Sequence, residues 1–353
     1  VDIEDPVMSA ATGVVRFVGA ASLKESTPTL SGFMDISVPD LQPLFTEFTV
    51  PQRYQRPLNL KANIALEPDT IAISVDNDQL TYGSINATGH LSIDLIDNLA
   101  HFNWLASAPD LTSYLPAGKN GIDRPPVPMN MSVIGEWNEV SLRVQSLSVE
   151  SKEIQIDAGG FLELASLEFI SSHLDADINI NRLSVLNDWL DFPFPDQDLQ
   201  VTADFDSRGG ALVIDTLALR SGDSDLIVQG TIERESDIQV TLDVLGPRLN
   251  LDPWVDALRV RNDTKSKRDH RATDNQYVFP DYPISTEWLS HFSADVDLQI
   301  NELVGMSRPV FNVQGAFTMG DSGIQIERLS AENERAGGAT LTGSLLNPPD
   351  TAP

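Results

Sequence analysis

The sequence predicts an all-β fold of antiparallel strands with short connecting helices. Three observations predict it. Apolar and polar residues alternate with a period of two over much of the chain, and the alternating runs are bounded by Gly, Asn, Asp or Ser. The runs are rich in Val, Ile, Leu and Thr, which suit a pleated, half-buried surface. Nothing in the chain has the apolar spacing of a long helix.

The strands follow in chain order. Leu91, Ile93 and Leu95 alternate with His90, Ser92 and Asp94. Leu142, Val144, Leu147 and Val149 continue the pattern with one slip at Gln145-Ser146. Ile154 and Ile156 come next, then Leu162 and Leu164. Leu174, Ala176, Ile178 and Ile180 are interleaved with Asp175, Asp177 and Asn179. Ile238, Val240, Leu242 and Val244 are interleaved with Gln239, Thr241 and Asp243. Val296, Leu298 and Ile300 alternate with Asp295, Asp297 and Gln299. Each run has one apolar and one polar face, as in an antiparallel sheet with one wet side.

Five short Leu- or Trp-bearing segments separate the strand groups, at 39–45, 109–115, 183–190, 249–258 and 285–292. Asp or Ser near their starts can cap, and Pro is tolerated in a first turn, so they are read as helices of one to three turns. One motif recurs: a glycine in an alternating strand, with a short helix further on. Its anchors are Gly32, Gly89, Gly160 and Gly230. A period of roughly 60–70 residues fits a stacked unit of several strands and a helix. Residues 259–276 break the pattern, gathering Arg259, Arg261, Lys265, Lys267, Arg268 and Arg271 in a stretch almost without apolar residues. Such a composition reads as a mobile insertion, either a solvated loop or a contact for an acidic partner or lipid headgroups.

Composition narrows the function. The 353 residues carry 23 Lys+Arg against 52 Asp+Glu, a formal charge of −29, which argues against a nucleic-acid partner. The absence of cysteine removes disulfides, thiol nucleophiles and Cys-based zinc sites. No apolar run approaches the length of a membrane-spanning helix, and residues 1–20 lack the order of a signal peptide. The chain opens without Met and closes at Thr351-Ala352-Pro353, which suggests a piece of a longer protein.

Candidate chemical sites are few. His90, His101, His173, His270 and His291 show no metal-ligand spacing. Neither a G-x-S-x-G elbow nor a phosphate-cradling glycine motif is present. Asp204-Phe205-Asp206-Ser207-Arg208-Gly209, with Asp215 at the twelfth place, loosely follows a calcium loop. Arg208, however, stands where a ligand belongs, and Gly209-Gly210 reads better as a hairpin turn. Acid pairs such as Asp94/Asp97, Asp175/Asp177, Asp196/Asp198, Asp223/Asp225 and Asp295/Asp297 are expected on solvated strand faces. No catalytic residue, metal or cofactor is expected. What remains is the apolar strand face, which period-two patterning assigns equally to a sandwich core or to an open conduit.

Four stretches resemble the AsmA-like family of bacterial envelope proteins, which includes TamB- and YhdP-type members and is related to eukaryotic bridge-like lipid transfer proteins. They are SGFMDISVPDLQPLF at 31–45, RPLNLKANIALEPDTIAISVDNDQLTYGSINATGHLSIDL at 56–95, PRLNLDPWV at 247–255 and the closing stretch at 291–345 with its GDSGIQIERLSA and GGATLTGSL elements. The resemblance implies an elongated antiparallel β-groove lined by apolar side chains. It also implies a periplasmic location, an inner-membrane anchor outside this chain, and movement of phospholipid between inner and outer membranes, supporting outer-membrane integrity. Residues 1–258 would then be repeated groove modules, 259–283 a basic flexible insertion, and 284–353 a C-terminal β module of the same groove. The expected lining residues are Leu91, Ile93, Leu95, Leu162, Leu164, Ile178, Ile180, Val240, Leu242, Val296, Leu298 and Ile300. The expected partners are phospholipid acyl chains, the two membranes through parts outside this chain, and envelope proteins. The alternative reading is a structural or chaperone-like scaffold for outer-membrane protein assembly, binding nascent strands by edge pairing. An enzyme acting on envelope glycans is a third.

Overall fold

The computed structural model describes residues 2–3, 7–10, 13–24, 27–39, 56–110, 127–165, 168–187, 192–234, 238–258, 292–305, 308–320, 323–333 and 337–346. These form two compact units, Val1–Phe169 and Ile170–Pro353. The basic insertion and the helices expected at 39–45, 109–115 and 285–292 lie outside the described residues, save a residue or two at their ends.

Unit 1 contains β1 (Asp2–Ile3), β2 (Val7–Ala10), β3 (Gly13–Lys24), β4 (Thr27–Val38), β5 (Leu58–Leu66) and β6 (Thr70–Tyr82). It continues with β7 (Ile85–Asp94), β8 (Leu99–Ala108), β9 (Met129–Trp137), β10 (Ser141–Ser151) and β11 (Ile154–Ala165). From β3 to β11 each strand pairs antiparallel with the next, while β1 and β2 both pair with β3. The slip at Gln145-Ser146 is a β-bulge: β10 shifts register there against both neighbours. An extra residue in one strand keeps the apolar residues on one side of the sheet through a bend.

Unit 2 contains β12 (Glu168–Ile180), β13 (Leu199–Arg208), β14 (Ala211–Ser221), β15 (Ser224–Arg234) and β16 (Ile238–Asn250). It ends with β17 (Phe292–Gly305), β18 (Arg308–Gly320), β19 (Gly323–Asn333) and β20 (Gly337–Leu346). Antiparallel pairing runs from β12 to β16 and again from β17 to β20. The junction departs from the antiparallel expectation. β16 and β17 are parallel, in register from Ile238↔Phe292 to Asn250↔Val304. Parallel neighbours need a long crossover, and residues 251–291 supply that length.

The turns follow local chemistry. Gly209 and Gly210, at φ +61° and +88°, close the β13–β14 hairpin as the two central residues of a left-handed turn. The calcium-loop lookalike is therefore a hairpin. Asn138 Oδ1 accepts hydrogen bonds from the Val140 and Ser141 amides at 3.0 and 2.7 Å and shapes the β9–β10 turn.

Two of the expected short helices fall within the described residues. Leu183–Leu186 is a 3₁₀ turn, and residues 188–190 of that expected helix lie outside the described residues. Residues 252–258 are α-helical, starting later than expected because Leu249 and Asn250 finish β16. Asn250 Oδ1 accepts the Asp252 amide at 3.0 Å at the start of that helix. Substantial contacts between strands are confined to hydrogen-bonded neighbours. Among the described residues, neither unit stacks a second sheet on the first.

Candidate functional site: an apolar sheet face

Residues directly opposed across neighbouring strands project to the same face, so register fixes which side chains lie together. In unit 1 one row reads Ile64, Ile73, Leu91, Phe102, Gly135, Val144 and Gly160 from β5 to β11. The next row reads Leu66, Ile71, Ile93, Ala100, Trp137, Leu142 and Leu162. A third, beyond the bulges, contains Leu60, Leu80, Ala87, Ala106, Met131, Val149 and Ile156. None of these rows contains a charged residue.

Unit 2 repeats the arrangement. Ile178 lies beside Val201, then Leu219 and Leu226. Leu242 lies beside Val296, then Phe317 and Ile326. Val240, Val244, Leu298 and Ile300 share that face with them.

Sequence reasoning named twelve residues for this face. Register places Leu91, Ile93 and Leu162 on one face of unit 1, and Ile178, Ile180, Val240, Leu242, Val296, Leu298 and Ile300 on one face of unit 2. Leu164 lies within β11, but its side chain is outside the described residues. Leu95 is not on a strand. β7 ends at Asp94, whose Oδ1 accepts the Ile96 and Asp97 amides at 2.8 and 3.1 Å, so Leu95 sits in the turn and is 42% exposed.

Most of the face is half-buried, while Ala62 and Val75 in unit 1 and Ala203, Ile214 and Val313 in unit 2 are buried. One end of unit 2 differs. There Leu183 is 2% exposed and Ile300 0%, the two most deeply buried large side chains among the described residues. The Leu183 amide donates to the Gln197 carbonyl at 2.7 Å, and Gln197 Nε2 donates to Ser221 Oγ at 2.7 Å. Ser221 Oγ donates in turn to the Asp198 carbonyl at 2.6 Å. Phe192, Phe194 and Trp254 form a ring cluster with centroids 4.9–6.5 Å apart. The 252–258 helix is tied to β17 by the Leu251 amide, which donates to the Val304 carbonyl at 2.8 Å. The 3₁₀ turn and the helix thus build a cap at this end.

The opposite face carries most of the polar residues, together with exposed Val18, Leu105, Ile134, Ile227 and Leu245. Glu136 lies 3.6 Å from Arg143 and 3.8 Å from His101 across β8, β9 and β10. Thr202 Oγ1 donates to Asp177 at 2.7 Å, and Ser37, Asn59 and Thr81 form a hydrogen-bonded ladder. His173 Nδ1 is 3.0 Å from Asp206 and 3.5 Å from Asp204. The Arg208 guanidinium hydrogen-bonds Asp206 and, with a smaller contribution from His173, holds its carboxyl below the ordinary value despite some desolvation. Several members of the acid pairs have local partners: Asp196 accepts Ser184 Oγ at 2.7 Å, Asp198 accepts the Gly222 amide at 3.3 Å, and Asp225 pairs with Arg220 at 3.3 Å. Among the described residues no group of three or more acids and histidines is arranged to hold a metal.

Sequence reasoning missed several residues of the apolar face, including Phe102, Trp104 and Gly135. Phe102 and Trp104 alternate with His101 and Asn103, so their signal was period-two aromatic spacing. Comparison of the chain with protein families, with curated proteins and with solved structures found no match.

Proposed function

We propose that this chain is a periplasmic lipid-binding protein of the AsmA-like kind, conducting phospholipid between inner and outer membranes and so supporting outer-membrane integrity. One observation carries the reading: in each unit the described residues form a many-stranded apolar face and place no second sheet upon it. A soluble domain ordinarily buries such a face, and large uncovered apolar patches mark sites where something else binds. Alkyl chains suit it, because their recognition needs no directional bond. Transfer from water is worth ~0.8 kcal/mol per methylene. A chain of a dozen or more methylenes therefore gains on the order of 10 kcal/mol before ordering costs. The acidic face meets water, and headgroups remain at the sheet margin. The mechanism is partition, with no covalent step.

The test is organic extraction of the purified protein followed by lipid mass spectrometry. Wild type should carry phospholipid. Leu91→Asp and Leu298→Asp should lose it while keeping β circular dichroism, whereas Ser92→Asp on the polar face should not. Lipid-free wild type, or equal loading in all variants, would overturn the reading.

A further inference from the structure

A strand glycine has no side chain and leaves a pit in the sheet surface. On the apolar face these pits coincide with aromatic rings. Gly89 is directly opposite Trp104, and Gly135 directly opposite Phe102. Gly19 and Gly32 are opposite each other, with Phe17 two residues from Gly19 on the same face. In unit 2 Gly315 stands two residues from Phe317 on β18. In every case the ring lies down over the glycine. A Cβ at Gly89 would sit 2.5 Å from the Trp104 indole, and one at Gly135 2.5 Å from Phe102. A Cβ at Gly19 or Gly32 would sit 2.7 or 2.6 Å from Phe17, and one at Gly315 would collide with Phe317. The four rings are only half-buried.

We infer that these glycine–aromatic pairs level the apolar face into a strip that seats an unbranched alkyl chain, with Trp104 in direct contact with it. The logic is steric. A large ring standing up from the face would be a ridge, and a bare glycine beside it would expose backbone polar groups to an apolar ligand. Laying the ring over the glycine removes both. In unit 1 the strip runs across the strands: the cross-strand row from Gly19 through Leu91 to Gly160 contains Gly32, Phe102 and Gly135, and the row beside it on the same face holds Val75, Gly89, Trp104, Val133 and Leu147. Neighbouring strands are ~4.8 Å apart, so a chain lying along that row meets an apolar or glycine position at every step.

The inference rests on the proposed lipid-binding role, and its test separates the two. Delipidated protein is mixed with vesicles of phosphatidylcholine brominated in its acyl chains, and tryptophan quenching is read against unbrominated vesicles. Bound lipid is counted in parallel by extraction. In a Trp137→Phe background, which removes the other indole on this face, quenching should be at least twice that in Trp104→Phe made in the same background. Gly89→Ala, whose Cβ would meet the Asn103 carbonyl as well as the indole at 2.5 Å, should bind at least two-fold less lipid, while Gly320→Ala, whose Cβ meets no atom within 4 Å, should bind as wild type. Should Gly89→Ala lose its β circular dichroism, the quenching comparison decides alone. Wild type that takes up no lipid overturns both proposals. Lipid uptake with equal quenching in the Trp137→Phe background with and without Trp104→Phe overturns this one only, as does a folded Gly89→Ala with wild-type loading.

Discussion

The capped end of unit 2 and the open span of its apolar face are made of the same residue types but differ in cover. At the cap, the 3₁₀ turn, the 252–258 helix and the Phe192–Phe194–Trp254 cluster accompany Leu183 and Ile300, which are almost fully enclosed. Along the span, Leu242, Val296 and Leu298 are touched from the sides and stay half-buried. The two regions thus differ in how fully the described residues enclose their large apolar side chains.

The largest expected effect separates the two regions directly. Leu183→Ala should destabilise by about 3 kcal/mol, within the range for a buried leucine that leaves a cavity. Leu242→Ala should cost about 1 kcal/mol or less in delipidated protein, because its side chain is already partly in water. Denaturant midpoints of the two variants check this. Equal costs would mean that the span is as well covered as the cap.

A smaller effect belongs to the polar face. Asp206 titrates below the usual carboxylate range because Arg208 and then His173 favour its charged form. A depressed folded-state value adds stability at pH above the unfolded value of about 3.9 and loses it as pH falls through the lower folded value. The denaturation midpoint of wild type should therefore drop more steeply below about pH 4 than that of Asp206→Asn. Parallel curves would show that the Arg208–His173 setting contributes nothing. Substitutions on the apolar span should leave this pH dependence unchanged.

The alternation that separates these faces was legible in the sequence, down to the bulge at Gln145-Ser146, because period two is a direct consequence of the pleat. The turn at Gly209-Gly210 was legible for the same local reason. The parallel β16–β17 pair was not, since partner and direction are decided by contacts far apart in the chain. Leu95 was misplaced because hydropathy continues the run past Asp94, whereas the Asp94 side chain ends the strand by bonding the turn amides. The glycine–aromatic strip was hidden because glycine carries no hydropathy signal, and its neighbour across the strand depends on register.

The most direct measurement of the central claim is photo-crosslinking of delipidated protein with a phospholipid bearing a diazirine in its acyl chain, mapped by peptide mass spectrometry. The account predicts labels on alternate residues, at Leu91, Ile93, Leu242, Val296 and Leu298, with Ser92, Thr241 and Asp297 spared. Labels spread evenly over both faces, or confined to the polar face, would contradict it.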